Sequence, residues 1–379
     1  MAGTVSWDTL RELAGLEVAN GCAISLYLNL DPRETVNPGG VQTRLNSLLD
    51  AASRSEWARG RDQRHEVRLG VRADLDRIRR YVELELVRDG AHGVALFSAS
   101  LDGIWRALEL VEPVPDEVHV DRRLALAPLA VLAGRSAGAI VVVAGREAGR
   151  FYALRAGRLV EITDLSSDQP GRHDQGGWSQ ARFQRHIDEL AAGHLRAVAE
   201  EIDRRVRRAS GRLDVVIVAP EESRAELAGH LTQEVEHALA GWTHAEAHAS
   251  PSELESVVAP VLAERRGARE RELVERWREG TRSGRSTAGW GPTLDAVSDA
   301  RVETLLADPA GERPVWRCPS CGRASASAGA CPLDGDQMED VADGLDVAVG
   351  LALRSGGTVW IAEGPDLGPG EGIGALLRY

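Results

Sequence analysis

The chain has 379 residues, with 43% apolar and 27% charged residues, so we expect a globular protein of two or three domains. All 45 basic residues are arginine, which excludes lysine-dependent phosphate loops, Schiff-base enzymes and kinase-type phosphate sites. The net charge of −13 disfavours general binding to polyanions, and any RNA contact must therefore be local.

The first third of the chain predicts an N-terminal α/β domain over residues 1–130. Helical periodicity covers 7–13, 42–53 and 66–88, and a strand covers 94–98. Cys22 to Leu30 alternates apolar and polar positions, which is typical of a half-buried strand. The proline-rich turn at 113–116 and the segment up to Gly134 predict a linker. The start lacks a basic, apolar signal pattern, so we expect a cytoplasmic protein.

Residues 131–250 predict a middle domain. Apolar runs over 139–144, 151–154 and 159–162 predict an antiparallel meander. A polar loop over 164–178 follows. Apolar residues from Phe183 to Val206 then recur mostly at three-to-five-residue steps, which predicts a long amphipathic helix. A buried strand over 215–219 and a helix over 221–239 complete the domain.

Residues 251–379 predict a C-terminal α/β domain. Helical patterns cover 251–279 and 345–353, and a helix leading into a strand covers 293–306. Apolar runs predict strands over 358–362 and 373–379. A cysteine-rich insertion lies at 316–336, between these elements.

A glycine pair precedes the long helix of the middle domain, in Gln175-Gly176-Gly177-Trp178. Glycine reaches backbone conformations and close approaches that other residues avoid. One interpretation is therefore a functional loop over 171–180. The other is an ordinary turn in which Ser179 caps the next helix.

Arginine recurs around this loop, at Arg172, Arg182 and Arg185 and further along the helix. Guanidinium groups offer paired donors that suit phosphate. Carboxylates between residues 188 and 203 offset much of this charge. The arginines are either an RNA-binding surface or a solvated helix face.

The cysteine-rich insertion contains Cys318, Cys321, Cys331 and Asp334. The repeated Cys-Pro-x-x-Gly pattern is typical of the two halves of a zinc ribbon, with aspartate in the fourth position. Zinc accepts sulfur and carboxylate oxygen in a closed, tetrahedral, structural site. The alternative is a degenerate knuckle that keeps its turns and holds no metal.

Three stretches together resemble the archaeal and eukaryotic class-1 peptide chain release factors and Pelota. Residues 176–183 are similar to the family's GGQSxxRF motif, with Trp178 in place of glutamine. Residues 272–306 resemble the start of the family's C-terminal domain. The terminal Gly372–Tyr379 resembles the GGIGxxLRY strand, with Glu371 in place of its first glycine. The chain is identified by this resemblance as a bacterial member of the family.

The resemblance implies three α/β domains in a tRNA-like arrangement, with a zinc element in the last. It implies a ribosome-associated translation factor that binds the A site in rescue, quality control or hibernation. The implied partners are the 70S ribosome, the peptidyl-tRNA acceptor end and an elongation-factor-like GTPase. Stop-codon reading is not expected, because the family's NIKS-type loop needs a lysine.

The resemblance also implies a role for residues 175–180 beside the peptidyl-tRNA ester. An indole has one N–H donor and no acceptor, so Trp178 cannot copy the water contacts of the family's glutamine. Trp178 could instead stack on an RNA base, and Gln175 or Gln180 could replace the missing amide. An active peptidyl-tRNA hydrolase and a non-enzymatic tRNA mimic both remain open. An RNA nuclease would need clustered carboxylates, and those of the middle domain are scattered along the sequence, at Glu147, Glu161, Asp164 and Asp214.

Overall fold

A computed structural model describes residues 5–34, 39–60, 64–87, 90–135, 138–155, 158–165, 179–209, 212–246, 248–361, 367 and 371–379; for 135, 155 and 179–188 it describes the backbone only. These residues divide into two compact units. Unit 1 combines Met1–Arg135 with Glu270–Tyr379, and unit 2 is Ser136–Arg269. None of the described helices is both long and apolar enough to cross a membrane.

The helices of both units, in chain order, are α1 (Trp7–Ala14), α2 (Gly40–Ser53), α3 (Glu56–Arg59), α4 (His65–Arg80), α5 (Ala127–Arg135), α6 (Ser179–Arg208), α7 (Glu221–Ala228), α8 (Gln233–Ala238), α9 (Pro251–Ser283), α10 (Trp290–Ser298) and α11 (Gly344–Arg354). The strands are β1 (Ala23–Asn29), β2 (Gly93–Ala99), β3 (Ile104–Leu110), β4 (Glu117–Asp121), β5 (Gly138–Ala144), β6 (Gly149–Arg155), β7 (Arg158–Asp164), β8 (Leu213–Val218), β9 (Leu239–Thr243), β10 (Ser286–Ala288), β11 (Val302–Ala307), β12 (Val315–Arg317), β13 (Ala324–Ser325), β14 (Glu339–Val341), β15 (Thr358–Ile361) and β16 (Ile373–Leu377).

In unit 1, β1 is a central strand of an antiparallel sheet with the order β3-β2-β1-β4. Its alternating pattern predicted a half-buried strand, and that prediction is wrong because every residue of β1 is buried. Ile24 and Leu28 pack with α2 and α4, whereas Tyr27 joins a second apolar cluster. The polar Ser25 is tolerated because its hydroxyl accepts a 3.0 Å hydrogen bond from the backbone N–H of Ala125.

The segment predicted as a linker, 113–134, is part of the folded unit instead. It contains β4, which pairs with β1, and α5, whose Leu129 is fully buried. The proline-rich turn marks only the entry to β4. The strand β3 was also missed, because its residues are mostly half-buried and lack a clear apolar alternation.

The N-terminal and C-terminal parts of unit 1 share one apolar cluster. It joins Leu10 of α1 and Tyr27 of β1 to Leu294, Leu305 and Val347 of α10, β11 and α11. The C-terminal part adds a mixed sheet with the order β10-β16-β11-β15, in which β11 and β15 are parallel. A small sheet, β13-β12-β14, carries the cysteine-rich insertion. The domain boundaries at 130 and 250 stay a prediction.

Unit 2 is built on the sheet β7-β6-β5-β8-β9. The predicted meander of β5, β6 and β7 is confirmed as antiparallel, and β8 extends it in parallel with β5. The long helix α6 places Leu195, Val198 and Ile202 in the core. The predicted helix over 221–239 is two helices, because Thr232 caps a new one by accepting from the N–H of Val235. The mixed α/β class predicted from the sequence is confirmed.

Candidate functional site

The cysteine-rich insertion of unit 1 folds into two matching turns. The N–H of Gly322 donates to the carbonyl of Cys318 at 3.0 Å, and the N–H of Gly335 donates to that of Cys331 at 2.9 Å. Both glycines have a φ near +80°, a conformation that other residues adopt only with strain. The repeated Cys-Pro-x-x-Gly pattern therefore encodes two equivalent loops.

The four predicted metal ligands are brought together by these turns. One ligand atom from each of Cys318, Cys321, Cys331 and Asp334 lies within 4.8 Å of the others. The sulfurs of Cys321 and Cys331 are 3.5 Å apart, too far for a disulfide. The Cys318 sulfur lies 3.2 Å from a carboxylate oxygen of Asp334. Zinc–sulfur bonds of about 2.3 Å in a tetrahedron would place ligand atoms about 3.8 Å apart, so the donor set and its spacing match a zinc ion after a small expansion.

The charge on the cluster also suits a cation. Hydrogen bonding from Cys321, with that from the other thiols and from the N–H of Asp336, lowers the pKa of the Asp334 carboxyl to about 2. Asp334 is thus a carboxylate at neutral pH. Cys318 and Cys331 are buried, whereas Cys321 is exposed, so the arrangement is a closed, structural type of site with one face near solvent.

The glycine pair and the residues around it lie outside the described part of the chain. This holds for Arg172, Gln175, Gly176, Gly177 and Trp178. Ser179, Gln180, Arg182 and Arg185 lie in the first turns of α6, and only their backbone is described. The roles predicted for these nine residues stay predictions.

The elements on both sides of this segment are described. Before it, β7 is an edge strand of the unit 2 sheet, and the N–H of Leu165 donates to the carbonyl of Gly149 at 2.8 Å. After it, α6 has 30 residues, a length of about 45 Å. The segment with the glycine pair therefore joins the edge of a sheet to the N-terminus of a long helix.

The described arginines of α6 are largely ion-paired within the helix. Arg205 donates to the buried Glu201 at 2.8 Å, Arg204 also pairs with Glu201, and Arg207 pairs with Asp203 at 2.8 Å. In the second half of α6, arginines and carboxylates therefore pair with one another. Arg204, Arg205 and Arg207 thus serve contacts within the helix itself.

The carboxylates that a nuclease would need are not gathered in the described part of unit 2. Asp214 is buried and forms a bidentate pair with Arg269, with one contact at 2.7 Å. Glu161 and Asp164 are exposed on β7. No group of three potential metal ligands is found among the described residues of this unit.

A second group of potential metal ligands in unit 1 was not foreseen from the sequence. It consists of His119, Asp343 and Asp346. His119 uses both ring nitrogens, bonding Asp343 at 3.1 Å and Glu117 at 3.3 Å. Asp346 accepts from the N–H groups of Leu126 and Ala127 at the start of α5. The group is therefore a structural link between β4, α5 and α11.

The electrostatics of His119 support this structural role. Burial lowers its pKa, but the hydrogen bonds to Asp343 and Glu117 outweigh burial and raise the pKa to about 10. As an imidazolium, His119 donates a hydrogen bond from each ring nitrogen to a carboxylate. Sequence reasoning missed it because Asp343 lies more than 200 positions from His119 along the chain.

Comparison with known proteins finds a matching family model and several similar proteins. Residues 125–276 match the model described as bacterial archaeo-eukaryotic release factor family 10. Peptide chain release factor subunit 1 of Archaeoglobus fulgidus is 26% identical over 346 residues, which is 85% of this chain and 81% of that protein. The chain is thus similar to peptide chain release factors, and its residues 125–276 match a bacterial family of archaeo-eukaryotic release factors.

Further relatives of the same type cover parts or all of the chain. Peptide chain release factor subunit 1 of Methanopyrus kandleri is 27% identical over 230 residues, 56% of this chain and 55% of that protein. A solved structure described as ribosome-bound archaeal Pelota and ABCE1 covers 100% of this chain and 95% of that chain, with 13% identity and a TM-score of 0.41.

The release-factor motif at the C-terminus has a structural explanation in unit 1. Gly372 has a φ of +79°. A β-carbon added to Gly311 would lie only 2.9 Å from the α-carbon of Gly372. Glu371, in place of the motif's first glycine, also has a positive φ of 49°. Glu371 and Gly372, which precede β16, therefore both have a left-handed backbone conformation.

Proposed function

We propose that this protein is a ribosome-associated translation factor of release-factor and Pelota type. It occupies the ribosomal A site as a tRNA mimic and acts in rescue, quality control or hibernation. The observation that carries the proposal is the 26% identity to an archaeal peptide chain release factor subunit 1 over 85% of the chain. That match extends well beyond the segment of the family model.

The position of the glycine pair supports this function. Gly176 and Gly177 belong to the segment between the edge strand β7 and the 30-residue α6. Two glycines in such a connection allow close approach to another backbone. We propose that Gly176 and Gly177 reach the peptidyl-tRNA acceptor end on the 70S ribosome, and that Arg172, Ser179, Arg182 and Arg185 contact RNA phosphates.

The finer organisation belongs to the same proposal. The three predicted parts, with boundaries near 130 and 250, form the tRNA-like arrangement. Zinc, held by Cys318, Cys321, Cys331 and Asp334, stabilises the insertion of the last part. It supplies no reaction chemistry, because all four ligands come from the protein and the site is closed. An elongation-factor-like GTPase delivers the factor.

We favour a non-enzymatic mimic over a peptidyl-tRNA hydrolase. Trp178 stands where the family has glutamine, and an indole offers no acceptor for water. Stacking of Trp178 on an RNA base would contribute roughly 1–3 kcal/mol to docking. The hydrolase alternative requires that Gln175 or Gln180 positions the attacking water instead. The nuclease alternative is disfavoured by the pairing of Asp214 with Arg269.

The test is sedimentation of the purified protein with 70S ribosomes that carry peptidyl-tRNA, followed by an assay of ester hydrolysis. We expect co-sedimentation with intact peptidyl-tRNA. Replacing both Gly176 and Gly177 by valine is expected to weaken ribosome binding at least tenfold, because two β-branched side chains restrict the backbone and block close approach.

Gly193→Ala in α6 is the matched control within the same unit. An added β-carbon at this position meets nothing within 4 Å, so this variant should bind ribosomes like the wild type. Hydrolysis that depends on Gln175 or Gln180 would favour the enzymatic alternative. Failure to bind ribosomes in any state would contradict the proposed function.

A further inference from the structure

A cavity in unit 1 gathers arginines that the proposed function does not use. It has a volume of about 470 Å³ and lies between the segment after α1, the end of β4, the first cysteine turn and α11. Arg123, Arg317 and Arg354 line it from three separate segments of the chain. Like charges repel one another, so a cluster of arginines is unfavourable unless anionic groups accompany it.

These arginines are incompletely paired among the described residues. The side chain of Arg354 forms no hydrogen bond or ion pair with them and is exposed at the end of α11. Arg317 donates only to the carbonyl of Gly322, at 3.3 Å. Arg123 lies 3.6 Å from Asp121, and its buried Nε has no partner. Most of the donor capacity of three guanidinium groups thus remains available.

The carboxylates of the cavity do not neutralise this charge. Asp343 pairs with His119 at 3.1 Å, and Asp346 is occupied by the N–H groups at the start of α5. Asp121 is the carboxylate close to the arginines, and it serves Arg123. Glu17 also lines the cavity, but it is exposed and forms no ion pair with these arginines. Arg317 and Arg354 are therefore without a paired carboxylate among the described residues.

The size of the cavity and the apolar part of its lining indicate which kind of ligand would fit. A volume of about 470 Å³ lies within the range of small-molecule sites, about 300–1,000 Å³, and is much larger than one phosphate. Leu16, Val18 and Leu351 line the cavity and are only partly buried. The lining of the cavity thus combines cationic and apolar side chains, as expected for a ligand that has both a phosphate and a ring system.

We propose that Arg123, Arg317 and Arg354 bind the phosphate groups of a nucleoside phosphate, whose base lies along Leu16, Val18 and Leu351. Guanidinium groups suit this role because each offers a planar pair of donors to phosphate oxygens. A free nucleotide is favoured over an RNA strand, because the acidic protein repels a long polyanion. The cavity is part of unit 1, and nucleotide binding there would be an activity beyond the proposed function.

The proposal is tested by isothermal titration calorimetry of the full chain, without ribosomes, with pyrophosphate, ADP, GDP and a short single-stranded RNA. We expect ADP or GDP to bind more tightly than pyrophosphate. Arg354→Gln should weaken nucleotide binding roughly tenfold, because it removes a charged donor pair. Arg354→Lys keeps the charge and should recover part of the affinity. Leu351→Ala should weaken the nucleotide but not pyrophosphate.

Arg282→Gln is the control, since Arg282 is exposed near the end of α9 and does not line the cavity. Zinc content and thermal stability are measured for every variant. Absence of nucleotide binding at millimolar concentrations would overturn the proposal. Binding of RNA alone, or equal nucleotide affinity in wild type and Arg354→Gln, would overturn it as well. Because ribosomes are absent, these outcomes are independent of the proposed A-site function.

Discussion

The indole N–H of Trp277 donates a 2.7 Å hydrogen bond to the carbonyl oxygen of Thr287. This bond ties the end of α9 to β10, and Gly374 of β16 lies against it. A β-carbon on Gly374 would be 2.5 Å from the indole nitrogen and 2.8 Å from the Thr287 oxygen. Close packing therefore requires glycine at position 374.

We expect Gly374→Ala to destabilise unit 1 by about 1–3 kcal/mol, because the added methyl group has no space and must displace the indole or the strand. Chemical denaturation with tryptophan fluorescence measures the change. Gly291→Ala in α10 is the control, since its added β-carbon would meet nothing within 4 Å. Equal stability of the two variants would contradict the close packing at Gly374.

Glu371 provides a second prediction at the same strand. Its φ of 49° lies in the left-handed region, which costs a non-glycine residue roughly 1 kcal/mol. Glu371→Gly should therefore raise the free energy of unfolding by up to about 1 kcal/mol. The change also removes an exposed ion pair with Arg313 at 3.1 Å, which contributes little.

The variant Arg313→Gln separates the two effects of Glu371→Gly. It removes the same ion pair and leaves the backbone of Glu371 unchanged. We expect it to alter the stability by less than about 0.5 kcal/mol. If Glu371→Gly were less stable than Arg313→Gln, relief of backbone strain would be the wrong explanation.

Local patterns were sufficient to predict most helices and strands. The long helix α6 and the strands β5 to β7 follow from apolar periodicity alone. The cysteine turns were predictable because each is encoded within five consecutive residues. In both cases the residues that determine the structure are neighbours in sequence.

Long-range packing could not be predicted in the same way. The burial of the second face of β1, which carries Tyr27, depends on the shared cluster with α10 and α11, more than 250 positions away. The segment 113–134 was predicted as a linker because its partner strand lies near position 25. The arginine-lined cavity draws on four segments, none of which has a local pattern that indicates a site.

The metal site gives the third prediction. Purified under reducing conditions, the protein should contain about one equivalent of zinc, because three sulfurs and one carboxylate oxygen already lie within 4.8 Å of one another. Cys331→Ser should lose most of the metal. The small cluster of Cys318, Cys331 and Met338 is too limited to hold the insertion without it. Faster hydrogen exchange over 316–338 should follow, as measured by mass spectrometry.

Two further variants make the zinc prediction specific. Cys22→Ala removes a buried cysteine outside the cluster and should leave the zinc content unchanged. Asp334→Cys replaces the carboxylate with a fourth thiolate and should slow removal of zinc by a chelator. A zinc content below about a tenth of an equivalent in the wild type would show that the insertion folds as a metal-free knuckle.

The hydrogen bonds of His119 give a pH-dependent prediction. The pKa of His119 is raised to about 10 in the folded protein, compared with about 6.5 in an unfolded chain. Its contribution to stability is therefore fully present below about pH 6.5 and is lost as the pH rises towards 10. The same bond lowers the pKa of Asp343, whose contribution is lost on the acidic side.

We therefore expect His119→Gln to be less stable than the wild type at pH 6, with a difference that shrinks steadily as the pH rises towards 10. Urea unfolding at several pH values measures this difference. His65→Gln, at the exposed start of α4, controls for the loss of a histidine and should follow the wild-type curve. A difference for His119→Gln that stayed constant across this range would mean that the residue acts through packing. The link between β4 and α11 would then not depend on the imidazolium.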